Sequence, residues 1–389
     1  ILSGLVGSEM CIRDRVQCWG RNEFGQLGNG NSSADELQQE PARVANLDGS
    51  TPAKTAVQML GKGGYHNCAL TATKAVMCWG YQFAGQLGDG VGGGGGTPRR
   101  PTAQAVRGFD GSTPDKSAAF VATGEYTTCA IKLTGALFCW GDNRFGKSGT
   151  GGGEFANLPA PVPGFDGTTP ERSASMVSIG NWMGCAVSEI GAVWCWGSNS
   201  NYQSGDGTNT SPRSTPVLSK SIDGTSAERT AIAVSAGNAT ACAVMKNGSV
   251  KCWGNAANGA FGNTKYTGPV ADATAVSGID GSTLATRAVS VATSSSNSCA
   301  LMADSSVKCW GYSDRGQAGT TGSNRVVAPP FMPSDLDGKE ADHAAVSIGV
   351  SGYHTCALLK NGNAYCMGGT GATKESTQQK PQNLEHEDD

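Results

Sequence analysis

Residues 242–254 read Cys-Ala-Val-Met-Lys-Asn-Gly-Ser-Val-Lys-Cys-Trp-Gly, two short apolar runs on either side of a turn. Residues 246–248, Lys-Asn-Gly, match a three-residue hairpin loop with glycine in the left-handed position. In that register Cys242 lies directly opposite Cys252. Opposed residues on antiparallel strands have Cβ atoms about 4.5–5.5 Å apart, close to the spacing that a disulfide tolerates. The stretch therefore predicts a β-hairpin closed by a disulfide.

This hairpin is one copy of a repeat that runs through the 389 residues. Cys-Trp-Gly occurs six times, 56 to 61 residues apart, and a seventh copy reads Cys-Met-Gly from Cys366. Another cysteine stands ten residues before each of the last six copies, so twelve of the fourteen cysteines fall into identical pairs. Zinc ligands usually come as clusters with the spacing Cys-x2-4-Cys, which this is not. The predicted disulfides are Cys68–Cys78, Cys129–Cys139, Cys185–Cys195, Cys242–Cys252, Cys299–Cys309 and Cys356–Cys366.

The rest of the repeat indicates an all-β fold. The hairpin register places a smaller residue opposite each tryptophan, as when one sheet packs on another without voids. An Asp-Gly turn precedes each cysteine pair, a Gly-x-x-Gly loop follows the tryptophan, and about 57 residues accommodate four short strands. Hairpins covered on both faces are typical of the blades of a propeller. The residues predicted opposite tryptophan are Asn67, Thr128, Gly184, Ala241 and Ser298.

The clearest copy consists of residues 64–70 (Gly-Tyr-His-Asn-Cys-Ala-Leu), 76–80 (Val-Met-Cys-Trp-Gly) and 85–88 (Gly-Gln-Leu-Gly). It resembles the regulator of chromosome condensation repeat, and the resemblance spans roughly residues 16–370. It implies a seven-bladed β-propeller of four-stranded blades. The paired cysteines depart from intracellular members of that family and resemble its exported bacterial branch.

Both ends of the chain depart from the pattern. Residues 1–15 are expected to be a non-native leader, because Ser8 stands where the partner of Cys18 belongs and Cys11 is out of register at seven residues. Residues 16–370 are expected to form the propeller, with its first blade incomplete. Residues 371–389 are expected to be a polar, acidic tail.

Candidate binding residues lie in the loop before the first cysteine of each pair. This loop varies between copies while its flanks stay fixed, and in a ring of blades its copies converge at one mouth of the central channel. Exposed aromatic residues commonly anchor partners. His66 and His354 occupy the same position of the repeat, where a histidine either contacts a partner or caps a turn. The candidate partner-binding residues are Tyr65, His66, Tyr126, Asn181, Trp182, Asn238, Asn297, Tyr353 and His354.

Several classes of function are disfavoured. The net charge is −3 and no run of Lys or Arg exceeds two residues, which argues against nucleic-acid binding. No run of 18 apolar residues indicates a transmembrane segment. Neither a metal site nor a cofactor is expected, because the single aspartate of each Asp-Gly turn is typical of a turn residue. The chain lacks the Gly-x-Ser-x-Gly motif of hydrolases, so we do not expect an enzyme.

We therefore expect a monomeric binding scaffold in an extracellular, cell-surface or periplasmic location, since disulfides persist in oxidising compartments. Its expected partner is a protein, with a glycan as the other class. The alternative, implied by the family resemblance, is guanine-nucleotide exchange on a small GTPase.

Overall fold

The computed structural model describes residues 4–6, 9–12, 16–32, 38–59, 64–92, 99–265, 267–320, 326–352 and 354–369. These residues form β-strands and six 3-10 helices of three residues each. No helix in these ranges is long and apolar enough to cross a membrane.

The strands repeat in the same order along the chain, and we name them by their position in that order. The first strands are β1 (Gly4–Val6), β5 (Ala56–Met59), β9 (Ala118–Thr123), β13 (Ala174–Ile179), β17 (Ala231–Ala236), β21 (Ala288–Thr293) and β25 (Ala345–Val350). The second strands are β2 (Glu9–Ile12), β6 (His66–Thr71), β10 (Thr127–Lys132), β14 (Met183–Ser188), β18 (Thr240–Met245), β22 (Asn297–Met302) and β26 (His354–Leu359). The third strands are β3 (Gln17–Gly20), β7 (Val76–Tyr81), β11 (Leu137–Asp142), β15 (Ala192–Gly197), β19 (Val250–Asn255), β23 (Val307–Tyr312) and β27 (Ala364–Gly368). The fourth strands are β4 (Gln38–Arg43), β8 (Arg99–Ala105), β12 (Phe155–Pro161), β16 (Arg213–Asp223), β20 (Pro269–Ala275) and β24 (Val326–Phe331).

Each group of consecutive strands forms one antiparallel sheet in chain order. Six sheets have four strands, and the last, β25–β27, has three in the described residues. First strands contact one another in succession from β5 to β25, and β1 contacts β25. The prediction of an all-β propeller with four-stranded blades is confirmed, but the described residues complete six such blades instead of seven.

Two expectations about the beginning of the chain are wrong. The first sheet is not the incomplete one, because β1 to β4 form four strands and the three-stranded sheet is the last. Cys11 is not out of register, since it lies directly opposite Cys18 in the pairing of β2 with β3. Seven residues separate Cys11 from Cys18, against ten in the later pairs, and strand pairing decides the register whatever the separation in sequence.

The predicted hairpin register is confirmed in the six later sheets. Cys242 lies opposite Cys252 and Ala241 opposite Trp253, and Gly248 has a φ of 88° in the turn between them. The six predicted disulfides are present, each joining cysteines ten residues apart. Cys18 is also disulfide-bonded, so the second and third strands are the covalently joined pair of a blade.

Neighbouring blades are linked through the tryptophan that follows the second cysteine. Five of these indoles are buried. Each donates its N–H to a backbone carbonyl in the third-to-fourth connection of the preceding blade, at 2.8 to 2.9 Å. The pairs are Trp79–Gln26, Trp140–Gln86, Trp196–Lys147, Trp253–Gln203 and Trp310–Ala260.

The hydrophobic core is divided between the blades in the same way. One cluster, for example, combines the disulfide of Cys242 and Cys252 with Phe261, Ile279 and the tryptophan of the next blade, Trp310. Each blade therefore depends on its neighbour to bury its apolar surface, as in other repeat proteins.

Candidate functional site

Chain direction divides the loops between the two ends of the ring. Because the strands of a blade alternate in direction, first-to-second and third-to-fourth connections emerge at one end, which we call the loop face. Second-to-third turns and the Asp-Gly turns emerge at the opposite end, the turn face. The candidate binding residues that the structure describes belong to first-to-second connections or to the strand ends beside them, so they share the loop face.

Aromatic side chains from four consecutive blades meet on the loop face. We call the group the aromatic cluster, and it combines predicted residues with residues that the sequence analysis did not single out. Its members are Phe24, Tyr65, Tyr81, Phe83, Tyr126, Phe145, Phe155 and Trp182.

Ring contacts run through this cluster from blade to blade. Tyr65 lies 5.3 Å from Phe24 and 5.4 Å from Tyr126 between ring centroids, and the two tyrosines are stacked. Tyr81 contacts Phe24 at 4.6 Å and Phe83 at 6.2 Å. Aromatic pairs at such distances add to the free energy of area burial. The tyrosines are therefore held in a fixed arrangement that a partner can contact without first ordering it.

The rim of the cluster is the part most open to solvent. Trp182 is 43% exposed and Phe145 55% exposed, and the two rings meet edge to face at 5.3 Å. Phe83 and Phe155 form a second edge-to-face pair at 6.2 Å, both more than a third exposed. Large aromatic side chains exposed side by side are typical of interaction surfaces.

A buried ion pair supports the cluster from below. The Lys147 ammonium lies 2.8 Å from the Asp142 carboxylate, and both side chains are at most 3% exposed. The same ammonium is 5.4 Å from the Tyr126 ring and 5.9 Å from the Trp182 ring, within the range of cation–π attraction. Asp142 also binds the exposed guanidinium of Arg144 at 2.7 Å.

Opposing effects act on the charges of this ion pair. Burial disfavours the Asp142 carboxylate, but hydrogen bonds from Arg144 and Lys147 outweigh it and hold its pKa below the usual 3.8. Burial lowers the pKa of Lys147, against the attraction of Asp142. Nearby, burial raises the pKa of Glu125. The charges are thus largely satisfied within the protein, which suits a supporting role beneath the aromatic rings.

Local sequence explains how Tyr126 is held. Gly141 has a φ of 96°, and a Cβ there would collide with the Tyr126 carbonyl oxygen. The next residue, Asp142, donates its backbone N–H to that carbonyl at 2.8 Å. The glycine of Cys-Trp-Gly is therefore what allows the first-to-second connection to approach the third strand.

The predicted histidines lie inside the blades. His66 is fully buried, and its Nε2 lies 2.8 Å from the Thr128 hydroxyl in the next blade. That hydroxyl donates to the Gln86 carbonyl, so the imidazole Nε2–H is the donor. Half-buried His354 contacts the Ser351 hydroxyl through Nδ1 at 3.0 Å, and burial lowers its pKa to about 4. These contacts favour the interpretation of the two histidines as structural.

The other predicted residues are spread around the ring. Half-buried Asn181 and Asn238 lie on the loop face, the second outside the aromatic cluster. Asn297 is buried, and its amide lies 3.4 Å from the Thr355 hydroxyl of the next blade. Tyr353 lies outside the described residues. Of the nine candidates, the structure brings Tyr65, Tyr126 and Trp182 into the aromatic cluster.

The sequence contained a signal for three of the five cluster members that were not among the candidates. Phe24 and Phe145 directly precede the first glycine of a Gly-x-x-Gly loop, and Phe83 stands one residue earlier. Lys147 occupies the position held by glutamine in four other blades, namely Gln26, Gln86, Gln203 and Gln317. Aligning these loops as carefully as the cysteine pairs would have found them.

The fold and this surface define a disulfide-linked repeat propeller with an aromatic cluster on its loop face. Within this class the chain belongs to the Regulator of chromosome condensation (RCC1) repeat family. One family model matches residues 14–70 and 191–244. A second matches residues 63–86, 119–147, 177–203, 231–260, 288–317 and 345–371.

Known relatives share the repeat at low identity. The mitochondrial RCC1 domain-containing protein RUG3 of Arabidopsis thaliana is 27% identical over 366 residues, covering 92% of this chain and 76% of RUG3. The E3 ubiquitin-protein ligase HERC2 of Mus musculus is 29% identical over 280 residues, covering 72% of this chain but 5% of HERC2. Crystalline Prp20p of Saccharomyces cerevisiae has a TM-score of 0.74 at 18% identity, with 95% of this chain and 86% of Prp20p covered.

The buried ion pair gives a first prediction. Asp142→Asn should lower the free energy of unfolding by about 3 kcal/mol, because it leaves the Lys147 ammonium buried without a counter-charge. The double variant Asp142→Asn/Lys147→Gln should recover most of that loss, because other blades carry these residues at the two positions. Gln26 occupies the position of Lys147 in the first blade, and Asn255 occupies the position of Asp142 in a later one. Urea unfolding of the single and double variants measures this coupling. Equal destabilisation of both variants would show that the pair is not coupled.

His66 gives a second prediction, on pH dependence. Burial lowers its pKa from 6.5 to about 3, so the unfolded chain binds a proton below pH 6.5 while the folded protein does not. The free energy of unfolding must then fall as the pH drops from 6.5 towards 3. His66→Asn, which copies Asn297, should make the loss between pH 7 and pH 5 about 2 kcal/mol smaller than in the wild type. Urea unfolding at both pH values tests this, and equal losses in both proteins would refute the buried neutral imidazole.

Proposed function

We propose that this protein is a binding scaffold that recognises a protein partner through the aromatic cluster on its loop face. The observation that carries the proposal is the group of aromatic rings on four consecutive blades, from Phe24 to Trp182, with the Lys147 ammonium near both the Tyr126 and the Trp182 rings. Interfaces draw most of their binding energy from a few such residues, tryptophan and tyrosine above all. The frame behind them is rigid, so little conformational entropy is lost on binding.

We also propose an extracellular, cell-surface or periplasmic location. The support is chemical, because the six disulfides between second and third strands persist only where the environment is oxidising. A net charge of −3 favours a protein partner over nucleic acid. We propose that this protein binds as a monomer and has no catalytic activity of its own. The Asp142 carboxylate and the Lys147 ammonium on this face are paired with each other, which suits binding better than acid–base chemistry.

The three-stranded sheet enters this proposal as a seventh blade. Its first strand, β25, contacts β21 on one side and β1 on the other, as the first strand of a blade in a closed ring does. A closed ring places the four blades of the aromatic cluster in fixed register, which a continuous interface requires.

Nucleotide exchange is the alternative that the family suggests. The structure of Prp20p is described together with its binding properties to Gsp1p and histones, but at 18% identity the likeness extends to the fold alone. A cytosolic GTPase partner conflicts with six disulfides. Accelerated release of labelled guanine nucleotide from a panel of small GTPases would support exchange and count against an exported scaffold.

The binding proposal predicts loss of affinity on removing exposed rings. Trp182→Ala and the double variant Phe83→Ala/Phe155→Ala should each weaken binding at least about 30-fold, corresponding to about 2 kcal/mol. Leu284→Ala is the matched control, because Leu284 is 64% exposed but lies on the turn face. The measurement is calorimetric titration of a partner first captured from a secreted and cell-surface fraction and then identified by mass spectrometry. Wild-type affinity in the aromatic variants, or a comparable loss in the Leu284 variant, would place the binding surface elsewhere.

A further inference from the structure

A shallow cleft adjoins the exposed end of the aromatic cluster. Its volume is about 400 Å³, within the range of sites for small ligands. Two exposed aromatic rings and several neutral hydrogen-bonding side chains line it, from the third, fourth and fifth blades. The lining residues are Phe145, Trp182, Ser198, Asn201, Gln203, Asn238 and Ala239.

The polar groups of the cleft are available to a ligand. In the described part of the chain, no protein group hydrogen-bonds to the side-chain amides of Asn201 and Asn238 or to the Ser198 hydroxyl. Gln203 is different, because its Oε1 accepts the Asn201 backbone N–H at 2.7 Å and so fixes the side chain. Each free amide offers two donors and an acceptor, and the hydroxyl offers one donor and an acceptor.

The cleft differs from the rest of the surface because no charged side chain lines it. None of its seven lining residues is ionisable. The Lys147 ammonium lies 5.9 Å from the Trp182 ring but is buried and paired with Asp142, and Arg144, next to Phe145 in sequence, is also paired with Asp142. A phosphate, carboxylate or ammonium group would find no opposite charge here, so the chemistry favours a neutral, polar ligand.

We propose that this cleft binds one unit of a neutral carbohydrate. A pyranose ring has a face of C–H groups and an edge of hydroxyl groups. The C–H groups carry slight positive charge and stack on the negative face of an aromatic ring, here Trp182. The hydroxyl groups then pair with Asn238, Asn201 and Ser198, which line the same cleft. The inference rests on the proposed function, since it names a sugar, such as one displayed on a glycosylated partner, as a ligand of the same face.

The hydrogen-bonding side chains of the cleft favour a sugar over a peptide. Amides and a hydroxyl serve as both donors and acceptors, which matches the hydroxyl groups of a sugar. A peptide strand would instead use the backbone of a sheet edge, and none of the lining residues belongs to a β-strand.

The test is binding of the full, oxidised chain to immobilised oligosaccharides. Neutral hexose-containing glycans should bind, and sialylated or sulfated glycans presenting their charged units should not. Trp182→Ala and Asn238→Ala should each weaken the best neutral glycan at least tenfold in calorimetric titration. Leu133→Ala, a half-exposed residue on the turn face, should match the wild type, and near-ultraviolet circular dichroism confirms the fold of each variant.

The outcomes distinguish this inference from the function on which it rests. If wild-type protein captures a protein partner but binds none of the neutral glycans, the sugar site is refuted and the scaffold stands. Selective binding of charged glycans, or unchanged affinity in both cleft variants, also refutes it. If neutral glycans bind but no protein partner exists, the cleft stands and the protein-recognition proposal fails.

Discussion

A covalent bond between directly opposed residues of the second and third strands is the constraint from which the rest of this structure follows. It fixes the register of each hairpin, and register decides which face every side chain occupies. With Cys242 joined to Cys252, Trp253 lies opposite Ala241. The indole then reaches the loop of the preceding blade and donates to the Gln203 carbonyl. One bond within a blade thus sets the contact between blades.

On the loop face, one blade differs chemically from the others although its fold is the same. In most blades a glutamine organises the Gly-x-x-Gly loop, as when the Gln26 side chain accepts the Phe24 backbone N–H at 2.8 Å. In the third blade Lys147 replaces that glutamine, and Asp142 accepts the Arg144 backbone N–H at 2.9 Å. The loop keeps its shape while its buried side gains an ammonium beneath two aromatic rings. The Asp142–Lys147 ion pair thus gives this blade a surface chemistry that the glutamine-bearing blades lack, within the same fold.

Much of the fold was predictable because its determinants are local and repeated. The ten-residue spacing of cysteines, the loop at 246–248 and the alternation around Trp253 each indicate the same register. The pairing of Cys11 with Cys18 departs from the ten-residue spacing of the other cysteines, so a rule based on sequence separation does not predict it. The number of strands in the first and last sheets was not predictable in this way. It depends on contacts between distant parts of the chain, and the spacing of a repeat gives no information about them.

The site was harder to predict because it depends on the order of blades around the ring. Tyr65, Tyr126 and Trp182 were found from exposed positions in one loop of the repeat. Phe83 and Phe155 join them only because a third-to-fourth loop of one blade lies beside the fourth strand of the next. His66 misled for a related reason, since its partner, Thr128, is 62 residues away and converts a loop histidine into an inter-blade contact.

Disulfides between opposed cysteines hold each blade together, and the proposed location outside the reducing cytosol depends on them. The most direct test is intact-mass analysis of protein isolated from its own cells, denatured in the presence of an alkylating reagent and without reductant. We predict no added alkyl groups before reduction and fourteen after it, one for each cysteine of the chain and twelve of them on the six pairs with ten-residue spacing. Alkylation of all twelve in the unreduced sample would contradict both the covalent frame and the exported role.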